Sequence, residues 1–159
     1  MTKPTLGSLV ADNDRVFLNH VDQHAARVVY TDGGCSANGQ LDMTKRRMVV
    51  VVANDAGSVL VHREDEGGSN NIAELWAVAE ALEWAATQPA QPLEIRTDSK
   101  NNFSWTFGRT LGKDINDRAA VEALQARIAE ARKHVVFRLV WVPREENLAG
   151  HVIEERYGL

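Results

Sequence analysis

Arg27-Val28-Val29-Tyr30-Thr31-Asp32-Gly33-Gly34-Cys35 is a β-branched and aromatic run that meets an acid and then two glycines. Its composition suits a strand over 27–31, which Gly33 and Gly34 are expected to close, leaving Asp32 at the strand end. Taken alone, an Asp ahead of two glycines reads most simply as an Asx turn, its carboxylate bonded to its own backbone. Downstream, 46–53 holds four consecutive valines, Val49 to Val52, the composition of a strand buried on both faces. Asn54, Asp55, Ala56 and Gly57 make a turn, and 58–62 return as a third strand. Three antiparallel strands are the simplest arrangement.

After the polar stretch 63–70, apolar residues recur at Ile72, Leu75, Trp76, Ala79 and Leu82, the spacing of an amphipathic helix that Pro89 and Pro92 stop. Residues 93–97 form the next strand, and a helix start follows at Ser99 or Lys100. A longer helix over 116–133 carries Val121, Leu124 and Ile128 on one side. Residues 135–142 make a fifth strand ended by Pro143, and 147–156 a final helix. Hairpins followed by strand-helix-strand crossovers imply an α/β fold with a mixed five-stranded sheet and helices packed on it. Residues 1–25 hold no sustained period and read as an extension, while 26–159 read as one domain.

The formal net charge of −4 means that a polyanion must be met by a local patch, against a weakly repelling overall field. One cysteine, Cys35, excludes an internal disulfide framework and a cysteine-rich zinc site. It suits a reducing, cytoplasmic setting. Since the apolar runs are short, no membrane partner is expected.

Two more acid-bearing segments match the first: NIAEL at 71–75, with Glu74, and IRTDS at 95–99, with Asp98. Asp98 and Ser99 are both preferred helix N-caps, and Glu74 sits in a first helical turn, where the macrodipole favours an acid. Burying the valines requires the first and fourth strands to be neighbours, which brings Asp32 beside Asp98. Carboxylates gathered in this way raise one another's pKa unless divalent cations neutralise them. Mg²⁺ or Mn²⁺ held by few carboxylates, with water and phosphate oxygens completing the shell, suits phosphodiester hydrolysis.

YTDGGCSANG (30–39), SNNIAELWAVAEAL (69–82), IRTDSKNNF (95–103) and VWVPREEN (140–147) together resemble the successive motifs of the ribonuclease H family, type 1. The resemblance implies a ribonuclease H-like sheet of order 3-2-1-4-5 with helices on both faces. It also implies two-metal endonucleolytic cleavage of the RNA strand of an RNA/DNA hybrid. Asp32, Glu74 and Asp98 would then be metal ligands, with Asp32 shared between two Mg²⁺ or Mn²⁺ ions. Cys35, Asn38, Asn70 and Asn71 match positions that touch the minor groove, where 2′-hydroxyls distinguish RNA from DNA. Asn70 and Asn71 also suit helix capping, and Cys35 suits simple packing. Lys100, Arg109, Lys113 and Arg144 are candidate phosphate contacts.

One position departs from the pattern. The family's fourth acid, four residues after an Asn, falls on His151 when counted from Asn147. An imidazole there removes a negative charge and a hard oxygen, favouring Mn²⁺ over Mg²⁺, or acting as a proton shuttle. Glu154, three residues on, is the alternative ligand. The Gly-His loop of some members is replaced by 142–147. The leading expectation is a hybrid-specific endonuclease. The alternatives are a catalytically weakened or inactive nucleic-acid-binding domain, or a nuclease of the same fold acting on double-stranded RNA or DNA. Trp76, Trp84 and Trp141 are expected in the core, and Trp105 with Phe103 and Phe107 offers a ledge for a nucleic-acid backbone.

Overall fold

Val49 to Val52 are each at most 2% exposed, because the strand that holds them is covered on both sides. The computed structural model describes residues 26–36, 45–108 and 117–159. In chain order these form β1 (Arg27–Ser36), β2 (Arg47–Asn54), β3 (Val59–Glu66), α1 (Asn70–Ala86), β4 (Leu93–Thr97) and α2 (Asn101–Trp105). α3 (Arg118–Ala131), β5 (Phe137–Trp141), a 3₁₀ turn (Arg144–Glu146) and α4 (Leu148–Tyr157) follow. The five strands make one sheet of order β3-β2-β1-β4-β5. β1-β2 and β2-β3 are antiparallel, and β1-β4 and β4-β5 are parallel.

Side-chain alternation divides the core in two. Val50 and Val52 join Leu75, Leu82, Ile95, Ile128 and Phe137 on the α1 and α3 side, while Val49, Val51 and Tyr30 meet Ala149 and Ile153 of α4 on the other. α1 presents Ala73, Ala77 and Ala81, all fully buried, at four-residue spacing, and this small-residue stripe lets the helix lie close to the sheet. Its first turn is capped by Ser69, whose hydroxyl accepts from the Ile72 N–H at 3.2 Å.

Two sequence expectations need correction here. β1 does not stop at its glycines but runs to Ser36, with Gly33 paired to Val50 and Gly34 to Val49. The long partner strand β2 supplies hydrogen bonds across that whole length, so Asp32 lies within a ladder and not in an Asx turn. β3 continues four residues past His62 through Arg63-Glu64-Asp65-Glu66, a charged run suited to an exposed sheet edge.

Candidate active site

The parallel ladder sets the site. Tyr30 is paired with Arg96 across β1 and β4, so Asp32, two residues along β1, comes close to Asp98, the residue just past the end of β4. Glu74 arrives from the first turns of α1, and Gly33 makes its approach possible. A Cβ at position 33 would lie 2.3 Å from the Ala73 carbonyl carbon and 2.6 Å from the Glu74 nitrogen. Any side chain there would push α1, and Glu74 with it, off the strand. One oxygen from each of Asp32, Glu74 and Asp98 lies within 4.8 Å of the others. They share a cleft of about 460 Å³ with Asn70, Cys35, Trp141 and Arg144.

Burial is the main force that raises the Asp32 pKa, to about 7, and the negative charge of Asp98 adds to it. Burial likewise pushes Glu74 up, to about 9, followed by the charges of Asp32 and Asp98. The two carboxyl groups share a hydrogen bond, and Ser99 bonds to Glu74. Three acids with hard oxygens directed into one cleft form a donor set that fits Mg²⁺ or Mn²⁺: a cation would remove the mutual repulsion that helps to raise the Asp32 and Glu74 pKa values.

The segment after β4 is held in place from several directions. Thr97 O accepts the Val142 N–H at 2.9 Å, and the Trp141 indole donates to Asp98 O at 3.3 Å. Neither Asp98 nor Ser99 caps α2; its N-cap is Lys100, which makes no side-chain capping bond. On the other side, the buried Asn147 donates through Nδ2 to Thr31 O at 3.0 Å, and its Oδ1 caps α4. That cap brings the first turn of α4 against β1, so closely that a Cβ on Gly150 would sit 3.1 Å from Asp32 Oδ2.

His151 is the next residue, but its ring faces elsewhere. It is exposed, with Nε2 2.8 Å from Glu145 O, and it is not part of the close carboxylate group. Because a carbonyl only accepts, Nε2 carries the proton in this contact. Glu154 is exposed and likewise outside the group. Cys35 is buried at the cleft; its N–H donates to Asn70 Oδ1 at 2.8 Å, so Asn70 ties α1 to β1 and Ser69 does the capping. Asn71 is exposed in the first turn of α1, and Lys100 is exposed with its ammonium 5.5 Å from the Trp141 ring centre. Arg144 lines the cleft and donates to Leu159 O at 2.9 Å. Asn38, Arg109 and Lys113 lie outside the described residues.

Three residues enter the site that pattern reading treated otherwise. Trp141 was expected in the core and instead lines the cleft, since it ends β5 level with Thr97. Ser99 bonds a site carboxyl, and the buried Asn102 bonds both Thr97 and Glu74. The ledge of Phe103, Trp105 and Phe107 packs on the core, with Phe107 stacked on Phe137 at 5.8 Å.

The fold is shared with solved RNase H structures, and the RNase H family model matches residues 23–150. This chain therefore belongs to the RNase H family. Among solved structures, it resembles RNase H1 from the halophilic archaeon Halobacterium salinarum (22% identity, 80% of this chain and 92% of that one, TM-score 0.58). It also resembles the N-terminal RNase H domain of a Mycobacterium tuberculosis protein (20% identity, 82% and 95%, TM-score 0.56). A third is the compost-derived LC11-RNase H1, solved in complex with an RNA/DNA hybrid (24% identity, 76% and 88%, TM-score 0.53). No curated protein matches the chain.

Proposed function

We propose that this protein is a metal-dependent endoribonuclease that hydrolyses the RNA strand of RNA/DNA hybrids, using two divalent cations, Mg²⁺ or Mn²⁺. The observation that carries the reading is the meeting of Asp32, Glu74 and Asp98 within 4.8 Å. When bound, the cations supply charge neutralisation and Lewis acidity for attack of water on the phosphodiester. The protein's part is placement. Asp32, Glu74 and Asp98 would hold the cations through their carboxylate oxygens. Ser99 keeps the Glu74 carboxyl oriented. Cys35, Asn38, Asn70 and Asn71 meet the minor groove, and the hybrid bound by LC11-RNase H1 supports that substrate class. Lys100 and Arg144 take phosphates, a small basic set that makes binding strongly salt-dependent. His151 stands at the fourth position, where nitrogen favours Mn²⁺. The lone thiol supports a cytoplasmic setting.

The test is a panel of labelled RNA/DNA hybrid, double-stranded RNA and duplex DNA, each with Mg²⁺ and with Mn²⁺, for the wild-type protein and Asp32→Asn. Cleavage confined to the hybrid and lost in the variant is expected. Undiminished cleavage by Asp32→Asn would remove the assigned site.

A second reading, a hybrid-binding domain with little turnover, draws on one observation: the His151 ring is engaged by Glu145 O, away from the carboxylates. Hybrid retention without cleavage in any metal would favour it.

A further inference from the structure

We propose that Asn102 is a positioning residue that sets the separation of Glu74 from Asp98 and thereby the affinity of the cleft for divalent cations. The inference rests on the metal-site reading above. Asn102 is fully buried on α2. Its Nδ2 donates to Thr97 Oγ1 at 3.1 Å and to the backbone carbonyl of Glu74 at 3.3 Å. Thr97 is the last residue of β4, directly before Asp98. One amide group therefore ties the backbone of one acid to the strand end that carries another.

The orientation of the amide follows from its partners. The Glu74 carbonyl can only accept, so Nδ2 must face α1 and Oδ1 must face away. Oδ1 there has no hydrogen-bond partner, and neither has the buried Thr106 Oγ1 one turn on. Leaving a buried oxygen unsatisfied destabilises a fold, and a leucine, with the same branched skeleton and no polar atom, would avoid that cost. For the fold alone, then, Asn102 is a poor choice. For the site it is a good one, because this amide joins the two elements that carry Glu74 and Asp98. Ser99 completes the brace: its N–H also bonds Thr97 Oγ1, at 3.1 Å, and its side chain bonds the Glu74 carboxyl. Glu74 is thus held through its backbone by Asn102 and through its carboxyl by Ser99, both from the segment that follows Asp98.

The experiment is calorimetric titration of the full chain with Mn²⁺ alone, comparing wild type and Asn102→Leu, with thermal unfolding in chelator as the control for the fold. Asn102→Leu is expected to bind Mn²⁺ about tenfold more weakly, the lower end of what losing a group behind a metal ligand costs. Its unfolding temperature in chelator should equal or exceed that of wild type. Raising Mn²⁺ should restore hybrid cleavage to Asn102→Leu but not to Asp32→Asn. Wild-type affinity in a folded Asn102→Leu overturns the proposal. Should that variant fail to fold, Thr97→Val removes one arm of the same tie: weakening by about threefold supports the proposal, and unchanged affinity overturns it. Wild-type protein that takes up no Mn²⁺ would sink the metal-site reading itself, whereas equal binding by wild type and variant sinks only the role of Asn102.

Discussion

Two groups of acids in this molecule, one buried and one half-buried, are treated in opposite ways. Glu94, 7% exposed on the sheet face away from α1, accepts from Arg138 at 2.8 and 3.0 Å and from Arg96 at 2.6 Å. Glu80, 8% exposed on α1, accepts from Arg127 at 3.0 Å, Arg63 at 3.3 Å and the Trp76 indole at 2.9 Å. Asp32, Glu74 and Asp98 are packed together with no ion pair among the described residues. The Arg144 charge does lower the Asp32 pKa, but it is the last of the influences on it, and the raised pKa values record the imbalance. The fold can supply arginines to buried carboxylates and does so twice. Where it withholds them, the charge is left for a ligand from outside to balance.

The contrast is open to attack at both ends. The largest effect expected is on turnover: Asp32→Asn should reduce cleavage of a labelled hybrid to the level of a metal-free control. Next, Glu94→Ala should destabilise the protein by about 3–5 kcal/mol in denaturant titration, because it removes the buried carboxylate that pairs with both Arg138 and Arg96. A loss well below that would mean that the pairing contributes little and the comparison is weaker than drawn.

The third prediction concerns pH. Asp32 and Glu74 keep protons in the folded state, with pKa values of about 7 and about 9, that the unfolded chain releases near pH 4. Unfolding between those limits therefore sheds protons, and stability falls as pH rises from about 4 to about 9. In chelator the unfolding temperature should decline over that range. Saturating Mn²⁺ should hold it up, with the gap widening toward high pH. Asp32→Asn should flatten the decline, raising the unfolding temperature in chelator at pH 8 by about 2–4 °C. A decline unchanged in that variant would assign it to other groups.

The smallest effect is at the fourth position. His151→Asp should raise Mg²⁺-dependent turnover by about tenfold and lower the preference for Mn²⁺, by restoring a hard oxygen on the turn beside Asp32. No change would leave position 151 outside the site.

Much of this architecture was legible from residues alone. The valine run, the apolar spacing over Ile72 to Leu82 and the prolines at 89, 92 and 143 each report local burial or breakage, and their order leaves few topologies open. The adjacency of Asp32 and Asp98 follows from that topology. Contacts between elements are different, because they depend on distances that no period encodes. The glycines at 33 and 34 look like a strand end, and only the closeness of Ala73 reveals that Gly33 clears a path for Glu74 inside a continuing strand. Trp141 reads as core and Asn102 draws no reading of its own, until packing places them behind Asp98 and Glu74. The imidazole of His151 is visible in the chain, but which way it turns is decided by the Glu145 carbonyl in the preceding 3₁₀ turn. Sequence determined which acids this protein carries and beside which elements they fall. Tertiary packing decided how closely they meet and what holds them there, because side-chain reach is set by the spacing of helices on the sheet.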